Sequence, residues 1–179
     1  YIRMLRGEFL RLFDKNEPLK LDTPRILSDG TDILIISSGI CTEEAIRAVN
    51  TLKNAGLSIA HIHISTLKPF KNSIIKDFLN KPKYGIITVE NHTTIGGLGT
   101  IISEKLVEYN INKKLIKLGL QDTFAHGASK QYLMKEYGFD AISIINNIEI
   151  LTGSRFNIKK EYLETIEIEP MHSLAKPEA

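Results

Sequence analysis

The chain predicts an α/β fold, a three-layer αβα sandwich around a mostly parallel, five-stranded sheet. From Asp32 onward, short apolar runs of strand type alternate with segments of helical period. The helices between successive strands are long enough to serve as crossovers, which parallel neighbours require. Composition agrees: 42% hydrophobic and 25% charged residues in a chain of 179 match one ordinary globular domain with appendages.

The compact part opens near Arg25. Ile33-Leu34-Ile35-Ile36 is a continuous apolar run, the mark of a strand buried on both faces. Thr42 then stands as the N-cap of a helix, with Glu43 and Glu44 in the first turn, where the helix dipole favours acids. Ala45, Val49 and Leu52 line its buried side, and Gly56 ends it. Residues 57–64 form a second strand, on which His61 and His63 share a face with Ile59. Pro69 holds the residue before it extended and starts a short helix reaching Leu79. A third strand over 84–89, a helix over 99–109, a fourth strand over 114–118 and a helix over 129–137 follow. Residues 140–151 read either as a last helix or as a strand plus turn.

Outside this unit, residues 1–24 place Arg3, Arg6 and Arg11 among apolar residues, then run into the linker-like Asp14-Lys15-Asn16-Glu17-Pro18. Residues 154–179, with an acidic stretch over 161–169, form a C-terminal extension expected to pack on something else or to be partly disordered. The first residue is Tyr1 rather than Met, which suggests a piece of a longer protein.

Charge and cysteine usage exclude several functions. With 23 basic and 21 acidic residues, net +2, nothing draws the chain to nucleic acid. No apolar run approaches the ~20 residues of a membrane span and no leader-like segment opens the chain, so a cytoplasmic location is expected, with no membrane partner. One cysteine rules out an internal disulfide and suits a reducing compartment. That residue, Cys41, stands at a helix N-terminus, where a thiol can become reactive. No base lies beside it, and a free cysteine there reads as a small core filler.

Gly96-Gly97-Leu98-Gly99 follows a strand and precedes a helix, as a nucleotide-binding loop would. It follows the third strand rather than the first and lacks the third glycine of that fingerprint, so close packing of loop and helix on the sheet is the expected role. His61-x-His63 lacks a nearby third ligand for zinc, and no metal site is expected. His92 and His126 lie on loops at the carboxyl ends of strands, where ligands of α/β proteins gather. Both are candidates for substrate contact or for an interface. Arg3 and Arg6 are a potential clamp for phosphate, a geometry that Lys does not reproduce.

Three blocks together point further. Phe124-Ala125-His126-Gly127 and the stretch to Ile142, Thr66-Leu67-Lys68-Pro69, and Val89-Glu90-Asn91-His92 with Ile95-Gly96-Gly97-Leu98-Gly99 resemble segments of transketolase and of deoxyxylulose-phosphate synthase, in the same order. The block at Thr66 departs from the family by carrying Phe70-Lys71 where a Leu-Asp pair is usual, which removes that aspartate's salt bridge but not the fold. The resemblance covers roughly residues 1–153 and divides the chain into the end of a pyrimidine-binding domain plus linker (1–24), a transketolase C-terminal-like domain (25–153) and the extension (154–179).

The resemblance implies a part of an enzyme that moves a two-carbon ketol unit between sugar phosphates. Thiamine diphosphate and Mg²⁺ would be bound by other domains, since the family's Gly-Asp-Gly and downstream Asn have no match here: Ser28-Asp29-Gly30 lacks the leading glycine, and Asn146-Asn147 lies too far away. The catalytic glutamate would lie upstream, so no catalytic residue is expected in this chain, and in isolation it should be inactive. Tyr1-Ile2-Arg3-Met4-Leu5-Arg6-Gly7 resembles the last strand of the pyrimidine-binding domain, where an arginine that best matches Arg6 binds the substrate phosphate. Implied partners are the upstream cofactor-binding domains or subunit, in a homodimer or heterotetramer. The alternatives are a part of deoxyxylulose-phosphate synthase, favoured by Phe124, His126 and Gly127, a 2-oxo-acid dehydrogenase β subunit, or a non-catalytic assembly module reusing the fold.

Overall fold

The computed structural model describes residues 9–70 and 73–174. Five strands form one sheet in the order β1-β3-β2-β4-β5. They are β1 (Arg25–Ser28), β2 (Ile33–Ser37), β3 (Ile59–His63), β4 (Gly85–Thr93) and β5 (Leu115–Leu120). β2, β3, β4 and β5 pair in parallel, whereas β1 runs antiparallel against β3 at one edge. The three-layer α/β sandwich with a mostly parallel sheet is therefore what the chain adopts.

Alternate residues of the central strands feed two cores. Ile33, Ile35, Ile59, Ile87 and Val89 face a layer made of α1 (Cys41–Asn54), α4 (Lys130–Glu136), α5 (Ala141–Thr152) and α6 (Lys160–Glu164). Leu34, Ile36, Ala60, Ile62 and Ile86 face α2 (Ile74–Asn80) and α3 (Leu98–Glu108) on the other side. The run from Ile33 to Ile36 is fully buried, as a strand covered on both faces must be. No helix among the described residues is long and apolar enough to cross a membrane.

Several local expectations change. β1 is the strand that the alternating pattern does not reveal: four residues beside a turn carry too little periodicity, and only its pairing to β3 and the Ser28 Oγ donation to Ile59 O at 2.8 Å identify it. Residues 141–152 are helix, because Asp140 caps them by accepting the Ser143 N–H at 3.0 Å, and Ile144, Ile145, Ile148 and Leu151 repeat at helical spacing. Thr42 is not a cap. It lies inside α1, with Ile40 at the cap position, and its hydroxyl points into the core. Pro69 does not start a helix either: it lies in the loop ahead of Ser73, which is the cap residue of α2.

The segment after residue 153 folds back on the domain. Leu163 of α6 is 4% exposed and joins the core beside α1 and α5. Arg47 of α1 holds the end of α6 by donating to Ile166 O at 2.7 Å and to Leu163 O at 3.5 Å. Leu163 O lies in the last turn of α6 and Ile166 O just beyond its cap residue Thr165.

Candidate functional site

The parallel strands all end on one edge of the sheet, and the candidate histidines His92 and His126 lie there. At the tip of β4, Glu90 is 1% exposed, yet it is an acid. Its two oxygens accept the first free amides of α3: Leu98 N–H to Oε2 at 2.7 Å and Gly99 N–H to Oε1 at 2.8 Å. A carboxylate thus occupies the positive end of the helix, the place where a phosphate would bind. Gly97 is glycine because a Cβ there would collide with the Glu90 carboxylate and lie 2.6 Å from Thr93 O. At Gly99 a Cβ would come within 2.6 Å of the Lys117 side chain and 2.9 Å of Thr88 Oγ1. The glycine run therefore seats α3 on the sheet around its own internal anion, in keeping with the packing role expected for it.

His92 follows Glu90 on the same strand and is exposed, with Nδ1 3.1 Å from Thr93 O. His126 lies on the exposed loop between β5 and α4. Its Nε2 lies 3.4 Å from Glu136 Oε2 and its Nδ1 3.4 Å from the Tyr137 hydroxyl, and its ring stands edge-on to Tyr132 with centroids 5.8 Å apart. The structure places both histidines at the carboxyl edge but gives them separate partners. Phe124, two residues before His126, is fully exposed. Arg3 and Arg6 lie outside the described residues.

Beside the tips of β2 and β4, a groove of about 310 Å³ lies between Phe9, Leu10, Leu12 and Phe13 of the linker and Gly39, Ile40, Glu43 and Asn91 of the domain. In a second depression of about 420 Å³, the lining residues Glu43, Glu44, Arg47, Lys130, Lys160 and Glu164 are paired with one another. Lys130 and Arg47 reach Glu43 at 2.6 and 3.1 Å, Arg47 lies 3.7 Å from Glu44, and Lys160 lies 3.8 Å from Glu164.

The remaining reactive side chains are internal. His61 Nε2 lies 2.8 Å from Ser37 Oγ, Ser37 Oγ 3.0 Å from Thr42 Oγ1, and Thr42 Oγ1 2.8 Å from His63 Nδ1. All four side chains are buried, and burial, first of all causes, lowers the pKa of His61 to about 3 and that of His63 to about 4. Both imidazoles are neutral structural groups, with a nitrogen of each committed to a hydroxyl. Cys41 is fully buried, and burial together with the nearby Glu44 and Glu90 carboxylates pushes its thiol pKa up, the opposite of an activated nucleophile. Among the described residues, no group of three or more His, Cys, Asp or Glu is placed to hold a metal ion. The edge therefore offers a surface for contact, with exposed imidazoles, an exposed aromatic and an apolar groove. Among the described residues it holds no exposed nucleophile paired with a base.

Two features had no signal in the linear sequence. The capping by Glu90 joins residues 8 and 9 positions apart across a loop. The role of Thr42 depends on β3 arriving beside α1; a polar residue at a helix start reads as a cap until the neighbouring strand is known.

The sequence model of the transketolase C-terminal domain matches residues 23–144. A putative transketolase C-terminal section of Methanocaldococcus jannaschii is 36% identical over 150 residues, covering 83% of this chain and 46% of that protein. A 6-deoxy-6-sulfo-D-fructose transketolase subunit of Clostridium sp. strain MSTE9 is 31% identical over 81% of this chain and 44% of its own length. A 1-deoxy-D-xylulose-5-phosphate synthase of Prochlorococcus marinus is 30% identical over 80% of this chain and 22% of its own. The chain thus spans about half the length, or less, of these relatives. Among solved structures, a split-gene transketolase described as an inactive β4 tetramer superimposes with a TM-score of 0.74 at 24% identity, over 83% of this chain and 48% of that one, a likeness of fold.

Proposed function

This chain belongs to the transketolase C-terminal domain family, and we propose on that footing that it is the C-terminal part of a transketolase-type enzyme transferring a two-carbon ketol unit between sugar phosphates. The match over residues 23–144 carries the reading. The enzyme is cytoplasmic and works as a homodimer or heterotetramer with its cofactor-binding domains or subunit.

Thiamine diphosphate and Mg²⁺ belong to those other parts. The described residues do not fit the cofactor: the helix end that could receive a pyrophosphate already holds the Glu90 carboxylate, and no oxygen-ligand cluster stands ready for the cation. No chemical step is therefore assigned to this chain. Its work is to bind and orient: Arg6 holds the substrate phosphate as a bidentate donor, Arg3 is a second phosphate-binding candidate, and His92 and His126 contact the substrate.

The test combines the chain with the upstream cofactor-binding portion, thiamine diphosphate and Mg²⁺, and follows two-carbon transfer from a ketose phosphate. Transfer should appear only when this chain is present. Arg6→Ala should raise KM for the phosphorylated substrate by about ten- to a hundredfold, the loss of a charge-assisted pair. Full activity without the chain would sink the reading and leave an assembly module. Turnover of pyruvate with an aldose phosphate, in place of ketol transfer, would favour a deoxyxylulose-phosphate synthase, the reading that the Prochlorococcus marinus relative supports.

A further inference from the structure

Two segments remote in sequence meet along the outer edge of β1. The Met171 N–H donates to Leu12 O at 2.8 Å, and Met171 O accepts the Asp14 N–H at 3.4 Å, forming a parallel bridge between Phe13 and Met171. The same tail then turns onto the sheet. The Ile26 N–H donates to Ser173 Oγ at 3.2 Å, and the Leu174 N–H donates to Ile26 O at 2.7 Å. Glu17 closes the knot: its Oε2 accepts the Ser173 N–H at 3.4 Å while its Oε1 lies 3.8 Å from Arg25 Nε. Beneath it, the Phe13 ring lies 4.2 Å from the Arg25 guanidinium and 4.9 Å from the buried His63 ring.

We propose that residues 171–174 are a strap that fastens the interdomain linker to the sheet and thereby sets how the preceding cofactor-binding part is seated. The proposal rests on the reading above that such a part exists. Side-chain contacts such as those of Phe13 hold a position but allow the main chain to swivel about it. A backbone bridge fixes direction as well, and an edge strand has free main-chain groups to receive it. A linker of fixed direction presents the upstream part at high effective concentration; a loose one spreads the same tether over many orientations. The strap also covers β1, which would otherwise be an open sheet edge.

The test compares the full chain with a version ending at Pro170 and with Met171→Pro, which deletes one donor while leaving α6 and Leu163 in place. Amide hydrogen exchange on the chain alone should accelerate at Asp14 and Ile26 by at least about tenfold in both variants, with α1 unchanged. In the reconstituted assay, the chain concentration giving half-maximal transfer should rise by at least about tenfold. Unchanged exchange at these amides, or equal acceleration throughout the chain, would overturn the strap. Faster local exchange with an unaltered half-maximal concentration would overturn its coupling to the partner. If the intact chain activates nothing, the proposed function fails, while the exchange data still decide the strap.

Discussion

Replacing Glu90 by Gln changes one oxygen to an NH₂ group at a site that is 1% exposed. The wild-type carboxylate accepts two amides, at 2.7 and 2.8 Å, and both donors are buried at the start of α3. Glutamine accepts only one of them and turns a donor toward the other. The variant loses one hydrogen bond to a charged group, about 1.5–3 kcal/mol, along with the favourable charge at the helix N-terminus, about 0.3–1 kcal/mol. A loss of about 2–4 kcal/mol follows, which for a domain of this size lowers Tm by about 4–16 °C. Urea unfolding followed by circular dichroism should show a lower midpoint at unchanged slope, since the surface exposed on unfolding is the same. A Tm within about 2 °C of wild type would refute the view that this internal anion anchors α3.

Acid should weaken the fold through His61 and His63. Burial holds their folded pKa values near 3 and 4 against an ordinary 6.5, so the unfolded chain binds more protons, and stability present above pH 6.5 is lost as pH falls through that value. By pH 5 the loss is about 2 kcal/mol per histidine, and His61→Gln should roughly halve the slope measured by urea unfolding between pH 6.5 and 5; an unchanged slope would refute it. Leu163→Ala removes a core side chain supplied by the C-terminal segment and should cost about 2–4 kcal/mol, read as a lower urea midpoint, whereas a change below ~0.5 kcal/mol would show that α6 merely rests on the surface.

The central strands are legible because burial on both faces leaves an unbroken apolar run at Ile33–Ile36 that no solvent-facing helix would carry. The helices around Ala45, Val49 and Leu52, and around Ile102 and Leu106, are legible for the complementary reason that one face is wet. β1 escapes detection because four residues cannot establish a period, and its partner β3 lies far along the chain. His126 falls on a loop at the carboxyl edge as expected, whereas His92 lies within the last residues of β4, because the strand runs on past Val89 to Thr93. Which groups hold that edge together is set by contacts across loops, such as Glu90 to Leu98, and these are invisible until the chain has folded. The tail is the plainest case: its acidic stretch reads as an extension packed on something else or partly disordered, while the apolar residues Phe156, Ile158, Leu163 and Ile166 pack it against its own domain.

The buried row of His61, Ser37, Thr42 and His63 has three links but only two hydroxyl hydrogens. When both hydroxyl hydrogens are spent inside the row, the third hydrogen comes from one imidazole and the other imidazole receives. If His61 donates from Nε2, every bond points toward His63, whose Nδ1 accepts, and both rings carry their proton on Nε2. If His63 donates from Nδ1, the row reverses and both rings carry it on Nδ1. The two side chains are thereby tied to the same tautomer, and switching one requires reorienting both hydroxyls and moving the proton of the other imidazole to its opposite nitrogen. Nitrogen-15 shifts of the two imidazoles should therefore report a single shared tautomer, a parity imposed on two neighbouring rings by counting protons.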